Sequence, residues 1–516
     1  MFVSICVWFV PSIVDKYPKI GQVPFLSKFH FCPRSSLDSL HNLYGIIMVK
    51  LSTAALALGT FSGAAAASSW SARGLESEIS SSTSKAGKGK GKACKADQGD
   101  STSRFSTVYT MTNQPNNEIV IFKRNEVTGK LTFIDTVETG GEGHVFKVPN
   151  DDGELVDAVD DPLASTGSVI VAGDGRQSCL LAVNAGSNTV SSFKIGSAPD
   201  QLTRVSVEAT GGLNPTSITE KDGLVYVLNA GDVGSIVGFN LIGFTCKLTP
   251  LEQGPIALSR PNYVGTAPYV IAETPAQIGF TPKNEILVTI KQNNGGPPDF
   301  DNGTGSLNLY EVDPEDGTIT IGSLTQTNLN SLTRTQDGHL PFSFTFDSSG
   351  NVLLVEPALA GSFQNGVVSV IENVDSDSSG DPVTISSEAT TEASASCWIQ
   401  YNPTSSCVYT TNNVEDTISS FLLDNQGELN FVSNRASALN APIDMIQSLE
   451  YRFLYALSTG HTDGSGQPSI YVYEMTCDCG LKFVQRIEDG LESETERQVT
   501  AGVLNGYVGI ALYTSH

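Results

Sequence analysis

Between residues 178 and 193 the chain reads SCLLAVNAGSNTVSSF. Four apolar residues, Leu180, Leu181, Ala182 and Val183, end at Asn184, and Ala185 and Gly186 follow. Residues 189–193 then alternate polar and apolar positions. Asn and Gly tolerate the positive φ of hairpin turns, and β-branched neighbours suit a pleated, half-buried surface, so the stretch predicts strand, tight turn, strand. The pattern returns with variation. Each unit has an apolar strand, an Asp/Asn/Gly turn, a second apolar strand, a third ending in an apolar or aromatic residue, and a fourth after another turn.

Six four-strand units follow from this reading. Their first strands begin near residues 168, 215, 276, 341, 397 and 442. In the fourth blade, residues 307–321 read as the third and fourth strands joined by a DPEDG turn. The ends supply a seventh unit: residues 107–111, 118–122 and 131–137 look like second, third and fourth strands with no first strand before them. The tail, residues 506–514, is one strand with no continuation. The expected fold is therefore an all-β, seven-bladed propeller of four-stranded antiparallel blades. Its ring is closed when the C-terminal strand pairs with the N-terminal ones, leaving only short, protected edges.

The segments before residue 105 do not belong to this pattern. Residues 48–67 have a basic start at Lys50, an apolar core and small residues before Ser68, the features of a secretory signal peptide. Residues 1–47 have no consistent periodicity and read as an extension of the gene model; Pro11 and the short apolar run count against a membrane anchor there. Residues 68–104 are a Ser-, Lys- and Gly-rich linker with too little apolar content to fold. The domain proper is then 105–516, and the expected location is secreted, extracellular or in a cell wall.

Charge narrows the partners. From Ser68 onward 25 Lys and Arg face 53 Asp and Glu, a balance of −28. Phosphate binding needs a basic face, so nucleic acid is excluded. The mature chain carries no membrane span, and a monomer is expected. Seven cysteines follow residue 67, so at least one is left unpaired within the chain, and their spacing fixes no connectivity. Asn302-Gly303-Thr304 is a glycosylation sequon.

Residues 180–193, 224–231, 139–143, 210–215 and 276–289 resemble the lactonase-type seven-bladed propellers, the family of 6-phosphogluconolactonase and fungal 3-carboxymuconate cyclase. The resemblance covers the chain from about residue 105 to its end. It implies a small lactone or carboxylic acid as substrate, in hydrolysis or in lactone formation, with no cofactor and no metal. Its motifs are turn and strand residues, so they speak for the fold more than for an activity.

Topology sorts the candidate chemistry. Loops joining second to third strands, and loops joining one blade to the next, emerge on one face. His144 lies in the long insertion after the first unit, His339 before an inner strand and His461 in a two-to-three loop. Arg260, Arg334 and Arg435 are placed in blade-to-blade loops on that face, as is Glu273, and Glu356 ends a second strand. A lactonase needs a base and cationic donors for a carboxylate and an oxyanion. The expected roles are His339 as acid or base, Glu273 or Glu356 as its partner, and Arg260, Arg334 and Arg435 with His144 and His461 as substrate contacts. Each also reads, more simply, as an exposed loop residue, and Asn184 and Asn229 as structural turn residues. No GxSxG elbow, HExxH, phosphate loop or dinucleotide fingerprint is present. The acidic stretch 150–161 lacks the spacing of a calcium loop and reads as solvated. The alternative to an enzyme is a non-catalytic extracellular propeller that binds a ligand, glycan or matrix.

Overall fold

Alternating burial along short segments produces strands, and strands with both faces apolar must be stacked between others. The computed structural model bears this out. It describes residues 105–149, 154–158, 160–173, 178–260, 267–292, 305–320, 324–333, 340–357, 365–374, 381–436, 439–460, 467–491 and 506–515. The expected extension, signal peptide and linker, with Asn302, Arg334, His339 and His461, lie outside the described residues.

The first blade holds β1 (Ser106–Met111), β2 (Glu118–Arg124) and β3 (Leu131–Glu138). A small hairpin, β4 (Lys147–Pro149) and β5 (Leu155–Asp157), interrupts the path to the second blade. That blade is β6 (Val169–Ala172), β7 (Cys179–Asn184), β8 (Thr189–Ile195) and β9 (Leu202–Ala209). The third is β10 (Pro215–Lys221), β11 (Leu224–Asn229), β12 (Ser235–Ile242) and β13 (Lys247–Pro250), with the short β14 (Ile256–Ala257) added along β12. The fourth is β15 (Pro275–Phe280), β16 (Ile286–Ile290), β17 (Ser306–Tyr310) and β18 (Thr325–Asn328). The fifth is β19 (Ser343–Phe346), β20 (Val352–Glu356), β21 (Val367–Glu372) and β22 (Thr384–Thr390). The sixth is β23 (Ser396–Asn402), β24 (Cys407–Asn412), β25 (Thr417–Leu423) and β26 (Leu429–Ala436). The seventh is β27 (Pro442–Gln447), β28 (Phe453–Ser458), β29 (Ser469–Met475) and β30 (Leu481–Ile487). Finally β31 (Val508–Thr514) pairs with β1, giving the first blade the order β3-β2-β1-β31.

The result is the expected seven-bladed propeller, closed as the sequence suggests. Closure runs from Ser106 opposite Thr514 to Met111 opposite Val508 and buries Val508, Ile510 and Leu512. Inner strands of neighbouring blades splay too far apart for full ladders, so side chains bridge them. Ile278 N–H donates to Ser217 Oγ at 3.2 Å. Gln277 both accepts from Phe344 N–H at 2.7 Å and donates to Phe344 O at 3.1 Å. Gln400 Nε2 donates to Met445 O at 3.1 Å. Asp444 Oδ2 accepts Ile510 N–H, also at 3.1 Å. Each bridge satisfies a buried backbone group that would otherwise lack a partner.

Farther out, one junction recurs: the first residue of a second strand meets the three-to-four turn of the next blade. Cys179 at the start of β7 is bonded to Cys246 in the β12–β13 turn, and Cys407 at the start of β24 to Cys479 in the β29–β30 turn. Leu224 and Phe453 start β11 and β28. A Cβ on Gly317 would fall 2.5 Å from Leu224 Cδ2, and one on Gly129 2.4 Å from Phe453 Cδ1. Gly317 and Gly129 have φ of 74° and 72°; Cys246 and Cys479 take the same left-handed position at 57° and 61°. The two disulfides thus occupy a site that other junctions fill with an apolar side chain against glycine. Cys397, in β23, is buried and is not part of either of these bonds.

Three expectations are corrected. The fourth strand of the fourth blade is β18 (Thr325–Asn328). Residues 313–317 fold into a tight turn closed by Gly317 N–H to Asp313 O at 2.9 Å, and the hairpin beyond it keeps only the Val312–Ile319 bridge. The acidic insertion is not all loop, because Leu155–Asp157 pairs with Lys147–Pro149. Arg435 is not in a blade-to-blade loop: β26 runs to Ala436 because Ile418 and Thr417 still offer backbone partners.

Deleting residues 506–516 should cost on the order of 5 kcal/mol, from three buried apolar side chains alone, and abolish a single cooperative melt. An unchanged urea midpoint would contradict closure by β31. Leu224→Cys combined with Gly317→Cys should form a new interblade disulfide on air oxidation, read as a loss of two mass units and a raised Tm. Two more thiols in the folded double variant than in the parent chain would show that the junctions are not equivalent.

Candidate functional site

The two-to-three loops open on the same face as the blade-to-blade connections, and the repeat shows which of them are merely structural. Asn184, ending β7, donates from Nδ2 to Thr189 Oγ1 and Ser191 Oγ at 3.0 and 2.8 Å. Asn412, ending β24, does the same to Thr417 Oγ1 and Ser419 Oγ, both at 2.8 Å. Asn229, ending β11, donates to Ser235 Oγ at 3.1 Å. All three are fully buried turn clasps. At the corresponding strand ends the fourth, fifth and seventh blades carry Ile290, Glu356 and Ser458. There the tight turn is replaced by long connections, 291–305, 357–366 and 459–468. Loops freed from a structural repeat are where binding and catalytic residues concentrate.

Lys291 follows β16 directly and is 1% exposed. Its Nζ donates to Ala164 O at 2.9 Å and lies 5.1 Å from the centre of the Phe342 ring, which in turn packs on Trp398 at 5.8 Å. Burial pulls the ammonium down from its ordinary 10.5 to about 7; Asp161 and Cys397 oppose the shift and Arg260 adds to it. A lysine in this state can exchange a proton near neutral pH.

The backbone above Lys291 comes from the insertion between the first and second blades. Residues 160–166 touch blades they do not connect. Asp160 O accepts from Thr459 Oγ1 of the seventh blade's loop at 3.1 Å. Ser165 Oγ donates to Thr216 O of the third blade at 3.0 Å. Thr166 N–H donates to Ala276 O of the fourth, also at 3.0 Å. Partners on the third, fourth and seventh blades place this strap across the mouth of the central channel. Asp161, Leu163, Ala164, Ser165 and Thr166 are all buried in it. Asp161 Oδ1 accepts Ala164 N–H at 3.1 Å, which turns Ala164 O down onto Lys291.

The structure places the expected residues unevenly. Arg260 is 4% exposed: its Nε donates to Gln292 O at 3.0 Å, and its Nη2 donates to Gln292 O and Glu273 O. It therefore binds together the start and end of the third-to-fourth-blade connection and the loop after Lys291. Glu273 is half-buried in a 3₁₀ turn, Ile271–Glu273, just before β15. Glu356 is wholly buried at the end of β20. Arg260, Glu273, Lys291 and Glu356 thus belong to the neighbouring fourth and fifth blades and their approach. His144 stands apart, its backbone held by Asn113 through bonds of 2.7 and 3.1 Å and its ring edge-on to Phe146 at 5.2 Å. Burial, then Lys147, lowers its pKa, against Asp157. Lys291 and Asp161 were not singled out from the sequence; the signal for Lys291 was a charge directly after a wholly buried strand, one residue beyond the position where the second, third and sixth blades have Asn. Among the described residues no cluster of His, Cys, Asp and Glu could hold a metal ion, and no helix is long and apolar enough to cross a membrane.

No protein-family model matches the chain, and no curated protein matches it. Solved structures do. A protein from Bacteroides fragilis, provisionally named a 6-phosphogluconolactonase, superposes with a TM-score of 0.53 at 16% identity, over 81% of this chain and 99% of its own. One of the same provisional name from Bacteroides uniformis gives 0.53 at 15%, over 80% and 100%. The periplasmic gluconolactonase of Pseudomonas aeruginosa gives 0.50 at 12%, over 75% and 96%. At these identities the likeness is one of fold: the chain has the architecture of the lactonase-type propellers.

Arg260→Met separates a positioning role from an anion clamp. Loss of charge-assisted bonds to buried carbonyls should cost roughly 3 kcal/mol in urea unfolding. Full stability in this variant would show that the guanidinium is available to a ligand instead.

Proposed function

We propose that the chain is a lactonase-like propeller that hydrolyses or forms a small lactone on the face of the two-to-three and blade-to-blade loops, in the sector of the fourth and fifth blades. The observation that carries this is the break in the repeat: where the second, third and sixth blades end the second strand in a turn-forming Asn, the fourth ends it in Ile290 followed at once by Lys291, the fifth ends it in Glu356, and a long connection follows each. The fold likeness to lactonase-type propellers supports the reaction class.

In the hydrolytic direction a base takes a proton from water as its oxygen attacks the lactone carbonyl carbon. Cationic donors hold the oxyanion and any substrate carboxylate, and the ring C–O bond breaks with the proton passed to the leaving alkoxide. His339 is proposed as that acid and base, with Glu273 or Glu356 as its partner. Arg334 is proposed as the carboxylate clamp, because a guanidinium donates two parallel bonds to a carboxylate. Arg260 is assigned to hold Glu273 and the Lys291 loop in place. Arg435, His144 and His461 are proposed as contacts to a larger substrate around the same face.

A second reading is favoured by the strap, which covers the channel mouth: a non-catalytic propeller that binds an extracellular glycan, matrix or small ligand. The Cys179–Cys246 and Cys407–Cys479 disulfides fit maturation in an oxidising compartment, and with the signal-like 48–67 they support export for either reading.

Turnover of a panel of lactones and of carboxymuconate, compared with His339→Ala and Glu356→Gln, tests the proposal. Losses of about 100-fold or more in kcat are expected for His339→Ala with at least one substrate. No turnover of any member, with glycan or matrix binding retained, would favour the second reading.

A further inference from the structure

We infer that residues 160–166 are a strap poised to open, which gates the channel mouth and whose closure is governed by proton loss from Lys291. The strap has no strand pairing of its own. Leu163 and Ala164 pack into the core, and hydrogen bonds tie the strap to separate blades, from Thr459 to Asp160 O, from Lys291 to Ala164 O, and from Ser165 and Thr166 to Thr216 O and Ala276 O. Ala164 sits in left-handed backbone, φ 44°, a conformation that non-glycine residues adopt at a cost. Segments outside the strand ladders open at lower free energy than paired core strands.

Lys291 supplies the bias. Closing the strap strips water from its ammonium, and the charged groups facing it divide: Asp161 on the strap and Cys397 at the start of β23 favour the charge, while Arg260 opposes it. Desolvation outweighs the attraction, so the closed state prefers the neutral amine, with a pKa of about 7, while a solvated lysine keeps its ordinary 10.5. Below about pH 7 both states are protonated and the full desolvation penalty favours opening. Between about 7 and 10.5 the open state binds more protons, so rising pH favours closure by up to tenfold per unit. The inference rests on the preceding section only for what the strap uncovers.

Amide hydrogen exchange of the full chain, corrected for intrinsic rates and followed from pH 6 to 9, reads the opening directly and needs no substrate. The strap amides are Ala164 and Thr166; Val183 and Ile218, bonded to Ser168 O and Gly167 O, report the core. Strap amides should exchange at least tenfold faster than the core pair, with an opening constant that falls steadily above about pH 7. Lys291→Met should flatten that dependence. Lys291→Arg, whose charge cannot be lost, should stay open-biased at every pH and serves if the methionine variant does not fold. Cys397→Ser should keep the wild-type slope, which separates the amine from the thiol. Strap exchange only at the core's rate, or an unchanged slope in either Lys291 variant, would overturn the inference. Absence of lactone turnover would leave it standing and count against the proposed function alone.

Discussion

The innermost strand of every blade has a ladder edge with no strand beyond it, and the whole architecture follows from how those edges are satisfied. Seven of them face one axis. Closing the ring lets Ser217, Gln277, Gln400 and Asp444 reach across the seams and pair with backbone that water cannot serve. The ring exists only because the last strand lies beside the first. Ser515 N–H reaches Phe105 O at 3.0 Å, and Phe105 N–H returns to Ser515 Oγ at the same distance. A constraint of this kind fixes the register of all seven blades together, since a one-residue slip in any inner strand would turn its bridging side chain to the opposite face.

Against that near-symmetry the departures carry the information. The disulfides depart from the junction's usual apolar-on-glycine contact by exchanging packing for a covalent link. Cys246 and Cys479 keep the left-handed backbone that glycine holds at Gly129 and Gly317. In the fourth and fifth blades, β16 ends in Ile290 with Lys291 directly after it and β20 ends in Glu356, in place of the structural Asn and beside long loops. The first kind of departure strengthens seams at the turn face, and the second puts ionisable groups at the opposite face. That division, covalent seams on one face and buried ionisable groups on the other, makes the strap's position across the channel mouth meaningful.

The blades were readable from the sequence because strand alternation and Asn/Gly turns are local, and closure was readable because one sheet lacked a first strand while the tail offered one. What was not readable depends on contacts between distant segments. Spacing leaves the cysteine pairing open; only the register of one blade against the next brings Cys179 to Cys246. Arg260 has the sequence character of an anion clamp, yet the carbonyls of Glu273 and Gln292, brought to it by folding, take its donors. Lys291 looks like an ordinary residue capping a strand until a strap from another part of the chain buries it. In the fourth blade, turn chemistry at 313–317 was read correctly but the strand after it was not, since the ladder resumes only at Thr325.

A crystal structure of the full chain soaked with a small lactone and its ring-opened acid would locate the chemistry directly. Density for the acid between the connections of the fourth and fifth blades, within hydrogen-bonding reach of Glu356 or Lys291 and with residues 160–166 displaced, is the expected result. Density confined to the face of the one-to-two and three-to-four turns, with the strap in place, would contradict the assignment of function to the broken repeat.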